Sequence, residues 1–495
     1  MTNTTVHDAA IIGAGFGGMG AAIQLGRLGY RDLVILERED DLGGTWHVNH
    51  YPGLAVDIPS STYSYSFEPN PNWSRMYAPG AELKAYAVGV ADKYDLRKFM
   101  RFNTVVEGAV WDADNEHWTV NIAGGERLHA RMILTATGFL SQPAFPEIDG
   151  IASFAGTVVH TTRWDDSLDL TGRKAAVIGT GATAVQLIPE IARDVAELTV
   201  YQRTPIWVVP KTDADIPRRL QRLYARVPFT QRVVRMFGTG LLEVIMVGAV
   251  LNYRRAKFLI RGAEKVALAH LKRQVKDPET RKKLTPDYTF GCKRPTFSNT
   301  YFRTFNRDNV KLETTPIARI ERDGIVTADG NKIEIDTLVL ATGFNLWDTN
   351  FPAFEVLGRD GKDLGKFWRE QKFQAYEGVA IPGFPNFISL NSPYSYSGLS
   401  YFTTIESQMK HMNRLLTEVK RRKASTFEVT EKANKEFLDR MIDNLDDSVF
   451  VNGSCSTARS YYFNQHGMAA LLRPTSTVNA FREASRFPLE AYAYA

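Results

Sequence analysis

An α/β protein with two parallel-sheet domains, one inserted into the other, is the fold that this 495-residue sequence predicts. Three observations predict it. A short apolar run, a glycine-rich turn and an apolar helical pattern follow one another near the N-terminus; the same series recurs from Ala175; and an Ala-Thr-Gly crossing closes each unit. The composition allows such a fold, with 44% apolar and 23% charged residues, and excludes a disordered, collagen-like or coiled-coil chain. Length sets a prior of about three domains.

In the first unit, residues 9–12 form the strand, Gly13-Ala14-Gly15-Phe16-Gly17-Gly18 the turn, and residues 19–28 the helix. The glycines divide the work. Gly13 permits the tight turn, Gly15 lets backbone approach a pyrophosphate, and Gly18 lets helix and strand pack closely. The helix start then offers free N–H groups and a positive dipole end to phosphate. A second strand, residues 33–36, ends in Glu37, 24 positions after Gly13, where a carboxylate accepts from the ribose hydroxyls of an adenosine.

The second unit has its strand at 175–178, its turn at Gly179-Thr180-Gly181-Ala182-Thr183-Ala184, a helix to about Arg193 and a strand at 198–201. Here the residue 24 positions on is Arg203. A guanidinium in the place of the acid suits a 2′-phosphate. The first unit therefore reads as an FAD or NAD site and the second as an NADP site. The crossings are residues 132–138 and 338–343, the latter preceded by Asp336. They look like those of two-dinucleotide flavoproteins, where the chain passes between domains. The expected architecture is two Rossmann-like domains, for FAD and NADP, with the second inserted in the first. Its divisions are 1–145 for the first part of the FAD domain, 146–210 with 284–340 for the NADP domain, 211–283 for a helical basic insertion, and 341–495 for the rest of the FAD domain and a C-terminal segment.

Three longer motifs make the chain resemble the type I Baeyer–Villiger monooxygenases over nearly its whole length. Phe154-Ala155-Gly156-Thr157-Val158-Val159-His160-Thr161-Thr162-Arg163-Trp164-Asp165 matches the family fingerprint FxGxxxHxxxW(P/D) at every defined position. Gly43-Gly44-Thr45-Trp46, then Tyr51-Pro52-Gly53 and Asp57, matches the second fingerprint. Gly291-Cys292-Lys293-Arg294-Pro295, followed by residues 305–310, is similar to the segment that carries the family's catalytic arginine. Read singly, Trp46 and Trp164 are core aromatics, His160 a hydrogen-bonded structural histidine and Lys293-Arg294 a solvated basic pair. Order and register bring them into one pattern.

The resemblance implies an enzyme that uses FAD and NADPH to insert one oxygen atom of O2 beside a ketone carbonyl, giving an ester or lactone, through a C4a-peroxyflavin. The alternative within flavoenzymes is N- or S-oxygenation. A peroxide anion needs a fixed cation, and arginine supplies one because it stays protonated and holds its donors in a rigid fork. The resemblance assigns that role to Arg294, with Asp57 paired to it and orienting it. It assigns the NADP phosphate to Lys293 and Arg203, with Thr204 following Arg203 in the family's Gln202-Arg203-Thr204-Pro205 run. Expected cofactor contacts are Gly13, Gly15, Gly18, Glu37, Thr45, Trp46, Asp57, Tyr63 and Val106 for FAD, and Gly179, Thr180, Gly181, Ala182, Thr183, Ala184, Arg203, Thr204, Lys293 and Arg294 around NADP. It assigns His160 to domain linkage more than to chemistry.

The chain also departs from the family pattern. His47-Val48-Asn49-His50 stands where members carry an aromatic-rich run, and Ser460-Tyr461-Tyr462 where many carry Ser-Trp-Tyr, which makes Tyr461 the residue expected over the nicotinamide. A cyclic-ketone preference is therefore not implied. The net charge of +5 is too small to indicate nucleic acid as a partner. Residues 211–283, however, hold 18 Lys/Arg against 6 Asp/Glu. Within them, 236–251 reads first as a buried helix with a solvated basic rim, and second, with 236–257 as the contact, as a patch that touches anionic membrane and admits lipophilic substrates. Cys292 and Cys455, far apart and without metal-ligand spacing, read as unpaired packing residues, which suits a reducing cytoplasm. No basic region precedes the first apolar run, so the N-terminus reads as a strand and not a signal peptide. The tail, 474–495, is expected to be turn-rich and packed over the fold.

Overall fold

The computed structural model describes residues 5–397 and 400–495; the first four residues, read as the lead into the first strand, lie outside them. Strand β1 (Val6–Ile12) passes through the glycine turn into helix α1 (Phe16–Arg27) and returns as β2 (Leu33–Leu36). Strand β3 (Glu126–Thr135) flanks β1 on its other side, and both neighbours run parallel to it. Ile12 lies beside Leu36 and Thr135, so the three strands end level at the turn. All four residues of β2 are buried, as a parallel strand covered on both faces requires. The completed sheet runs Glu355–Leu357, Val106–Asp112, His117–Ile122, β3, β1, β2, Met100–Arg101, with Phe387–Ser389 also paired to β3.

Between those contributions the chain builds a second, fully parallel sheet. Its elements are β4 (Thr157–His160), β5 (Lys174–Ile178), helix α2 (Ala182–Ile191), β6 (Glu197–Tyr201) and β7 (Thr337–Leu340). The order is Val310–Glu313, β6, β5, β7, β4.

The Ala-Thr-Gly crossings are explained by the turns they touch. Gly13 has φ +108°, and a Cβ there would stand 2.7 Å from the Ala136 carbonyl oxygen. Gly179 has φ +117° and faces the Ala341 carbonyl in the same way. Each crossing thus packs against the first glycine of its own turn. Only glycine fits, because both the left-handed φ and the approaching carbonyl reject a side chain.

The insertion is helical, as expected: α3 (Arg218–Arg226), α4 (Pro228–Glu243) running on as a π-helical stretch Val244–Leu251, and α5 (Tyr253–Gln274). Its burial is not as expected. Met246, Ala249, Val250 and Leu251 are buried, but Phe229, Met236, Phe237 and Val244 of the same helix are exposed, which corrects the reading of 236–251 as a buried helix. The tail packs over the fold, yet it is more regular than expected. Thr477–Arg486 is a helix lying against Tyr401–Arg422, and Tyr492–Tyr494 pairs antiparallel with Phe427–Val429.

Gly13→Ala and Gly179→Ala should each cost about 1–3 kcal/mol through the strained φ and the carbonyl contact. A lowered Tm in differential scanning fluorimetry is the expected result, and an unmoved melt contradicts it.

Candidate active site

Both glycine turns open into one cavity of about 1470 Å³, which is larger than the roughly 300–1,000 Å³ of a single small-ligand pocket. Of the residues singled out from the sequence, Gly13, Gly15, Glu37, Thr45, Trp46, Asp57, Tyr63 and Val106 line it from the first domain. Gly179, Thr180, Gly181, Ala182, Thr183, Arg203, Thr204, Lys293 and Arg294 line it from the second. Gly18 and Ala184 do not. Gly18 sits where any Cβ would strike the Gly13 carbonyl oxygen, so it serves helix–strand packing, and Ala184 is buried in the core.

On the first side, Glu37 is buried. Its Oε2 accepts from the Ala14 N–H at 2.7 Å and its Oε1 from the Glu39 N–H at 3.0 Å, which fixes the carboxylate at the end of β2 beside the turn. Trp46 Nε1 donates to the Tyr63 hydroxyl at 3.2 Å, with the rings edge-on at 5.5 Å. Burial pushes the Tyr63 hydroxyl up, so it stays protonated. A glycine cradle, a carboxylate at the strand end and an aromatic wall fit a flavin dinucleotide.

On the second side, cations gather without acids. Arg203, Lys293 and Arg459 all line the cavity, and none of them is in an ion pair among the described residues. Burial, followed by the neighbouring Arg203, lowers Lys293 to about 8. Burial and then Arg459 lower Arg203. Three cations held together this way fit a phosphate dianion, above the start of the ten-residue helix α2. Thr180 Oγ1 donates to the Thr204 carbonyl at 2.9 Å, tying the turn to the arginine segment. Arg459 was not found from the sequence, since no motif position marks it; only its charge offered a signal.

Where the two sides meet, Arg294 Nε donates to Asp57 Oδ2 at 2.8 Å. Burial works to lower the guanidinium pKa, but Asp57, then Tyr396, Tyr462 and Tyr461, hold it well above its ordinary value. Arg294 is thus a permanent cation. Tyr396, whose own hydroxyl burial pushes up to about 12, was also missed from the sequence because it comes from a distant loop, whereas Tyr462 belongs to the Ser460-Tyr461-Tyr462 run already singled out. Tyr461 lines the cavity, and its carbonyl accepts from Trp347 Nε1 at 2.9 Å.

The fingerprints act as stitching. The Tyr51 hydroxyl donates to Gln186 Oε1 of α2 at 3.0 Å, and Gln186 Nε2 returns to the Ala55 carbonyl at 2.9 Å. Gly53, at φ +82°, lies where a Cβ would come within 2.7 Å of the Gln186 carbonyl oxygen. The second fingerprint therefore clamps the NADP-turn helix and carries Asp57 to Arg294. In the first fingerprint, His160 Nδ1 meets the Thr162 hydroxyl at 2.8 Å and Nε2 the Thr342 hydroxyl at 3.3 Å. Burial lowers its pKa, leaving it neutral, and it links β4 to the second crossing and does not face the cavity.

One expectation is overturned. Cys292 and Cys455 are joined in a disulfide, with Cα atoms 5.2 Å apart. Folding brings together segments 163 residues apart, which spacing alone does not reveal. The bond ties the loop of Lys293 and Arg294 to the segment of Arg459, Tyr461 and Tyr462. It also removes the basis for inferring a reducing cytoplasm from unpaired thiols.

Residues 10–236 match a family model for pyridine nucleotide-disulphide oxidoreductases. A Baeyer–Villiger monooxygenase of Pseudomonas aeruginosa is 39% identical over 456 residues, 92% of this chain and 85% of that protein. Among solved structures, an oxidized steroid monooxygenase bound to NADP superposes with TM-score 0.88 at 30% identity over 99% of each chain. OTEMO in complex with FAD and NADP gives 0.86 at 26% identity over the whole of both chains.

Thiol titration of the denatured, unreduced protein should find no free cysteine, and reduction should release both. Closing a loop of this length stabilises by up to about 5 kcal/mol in the chain-entropy account, so reduction should lower Tm. Two free thiols before reduction contradict the pairing.

Proposed function

The chain belongs to the Baeyer–Villiger monooxygenase family, and from that premise we propose that Arg294, held by Asp57 between the two nucleotide turns, is its catalytic cation. The enzyme is an NADPH-dependent FAD monooxygenase that inserts one oxygen atom of O2 beside a ketone carbonyl. Bound against the 13–18 turn, FAD would supply the hydride acceptor for NADPH and the chemistry that activates O2. The remaining roles fall to side chains.

The observation that carries the assignment is the 2.8 Å Arg294–Asp57 pair lining the same cavity as both glycine turns. A cation there, already oriented, stabilises negative charge as it develops on oxygen and needs no reorganisation. Asp57 keeps the guanidinium aimed and charged. Gly13, Gly15, Glu37, Thr45, Trp46, Tyr63 and Val106 are assigned to FAD, and Gly18 to packing the turn that holds it. The 179–184 turn, Arg203, Thr204 and Lys293 are assigned to NADPH, with Arg459 added as a third cation on the 2′-phosphate. Tyr461, anchored through its backbone to Trp347, is assigned the position over the nicotinamide. Membership of strands in the two sheets supports divisions at 1–145, 146–210 with 284–340, 211–283 and 341–495.

Arg294→Ala should leave anaerobic bleaching of the flavin by NADPH intact and reduce ester formation by about 100-fold or more. Normal ester formation in stopped-flow and product analysis contradicts the role. Arg459→Ala should raise the KM for NADPH by about tenfold and leave that for NADH unchanged, as for a lost charge-assisted phosphate contact. Equal effects on both cofactors contradict it. Phosphate binds the protonated form of Lys293, so NADPH affinity should be full below pH of about 8 and fall as pH rises through it. Lys293→Arg should flatten that profile, and a profile that keeps its slope contradicts the assignment.

A further inference from the structure

The basic insertion carries a surface that catalysis does not use. In α4 and its continuation, the exposed apolar residues Phe229, Val233, Met236, Phe237, Leu241 and Val244 recur at three- and four-residue spacing and share one helix face. Phe237 is 79% exposed, Met236 72% and Phe229 69%. The opposite face is fastened to the protein. Gln231 Nε2 donates to the Asn70 carbonyl at 2.6 Å, Arg235 Nη1 donates to the Ser64 carbonyl at 2.7 Å, and Leu242 and Met246 are buried. Residues Pro228–Leu251 are long and apolar enough to cross a membrane by length and composition, but a helix anchored along one face lies on a bilayer and does not span it.

The neighbouring charges say what covers this face. Helix α3, joined to α4 through Val227, gathers Arg218, Arg219, Arg222 and Arg226 on one side, all exposed, and Arg232 adds another exposed guanidinium from α4. None of these five is in an ion pair among the described residues. No acidic residue occurs between Asp215 and Glu243. An exposed apolar stripe beside unneutralised arginines is the makeup of an interfacial helix on anionic lipid. A second copy packed isologously on the same face would set arginine against arginine.

We propose that α3 and α4 dock the enzyme on an anionic phospholipid surface. The docked helix rests on Ser60–Thr62, where Gly238 allows close approach to Thr62, and that segment leads directly to Tyr63 in the cavity. The bilayer then lies about one helix diameter, roughly 10 Å, from the cavity wall, within reach of apolar ketones dissolved in it. The inference stands on the surface alone and does not depend on the catalytic assignments.

The test is vesicle flotation of the full-length holoenzyme with phosphatidylcholine alone or mixed with phosphatidylglycerol, at low and high salt. The wild type should float with the anionic vesicles at low salt, and less at high salt. Both Phe229→Ser/Phe237→Ser and Arg218→Gln/Arg219→Gln/Arg222→Gln/Arg226→Gln should lower the bound fraction about tenfold, with NADPH oxidation on a water-soluble ketone and Tm unchanged. Failure of the wild type to float at low salt overturns the proposal. So does flotation undiminished in the phenylalanine variant, or a wild-type dimer that this variant dissolves while neither protein binds vesicles.

Discussion

A guanidinium taken out of water costs free energy unless a carboxylate and hydrogen bonds meet it, and Arg294 is met by Asp57 at 2.8 Å with Tyr396, Tyr461 and Tyr462 around it. Much of the molecule is arranged so that these two side chains coincide. Asp57 comes from the first nucleotide domain and Arg294 from the loop after the helical insertion. Their meeting therefore requires the domains to be locked in register. The Tyr51–Gln186–Ala55 hydrogen bonds and the Gly53 contact supply that lock at the α2 helix, while the His160–Thr342 contact ties β4 to the end of β7 within the second sheet.

The same geometry makes the family fingerprints intelligible as mechanics. In the second, Tyr51 and Gly53 mark the point where one domain meets the helix of the other, and in the first, Gly156 lies against the Asp336 carbonyl within the second domain. His160, the residue that looks most chemical, is neutral and occupied in linkage. The residues with free charge to offer are instead Arg203, Lys293 and Arg459, which face the cavity without acids to neutralise them. The disulfide couples the Arg459 segment to the arginine loop, so Arg459, Lys293 and Arg294 share one support.

Local pattern made much of this legible in the sequence. The two turns, Glu37 and Arg203 at their matched offsets, and the parallel sheets follow from strand-turn-helix spacing; Asp57, Lys293 and Arg294 follow from motifs with fixed register. What could not be read depends on segments that meet only after folding. Arg459, Tyr396 and the Cys292–Cys455 bond arise where the C-terminal segment returns to the arginine loop. Composition likewise marks 236–251 as an apolar helix, but not whether anything covers it, and Met236, Phe237, Leu241 and Val244 are exposed where a buried helix is expected.

The claim that Asp57 and Arg294 act as one unit is tested most directly by a double-mutant cycle on the rate of ester formation, with Asp57→Ala, Arg294→Ala and the double variant compared under saturating NADPH. If the pair is the unit, removing Asp57 after Arg294 costs nothing further, and the double variant matches Arg294→Ala within a factor of about two. Losses that multiply independently would contradict the account.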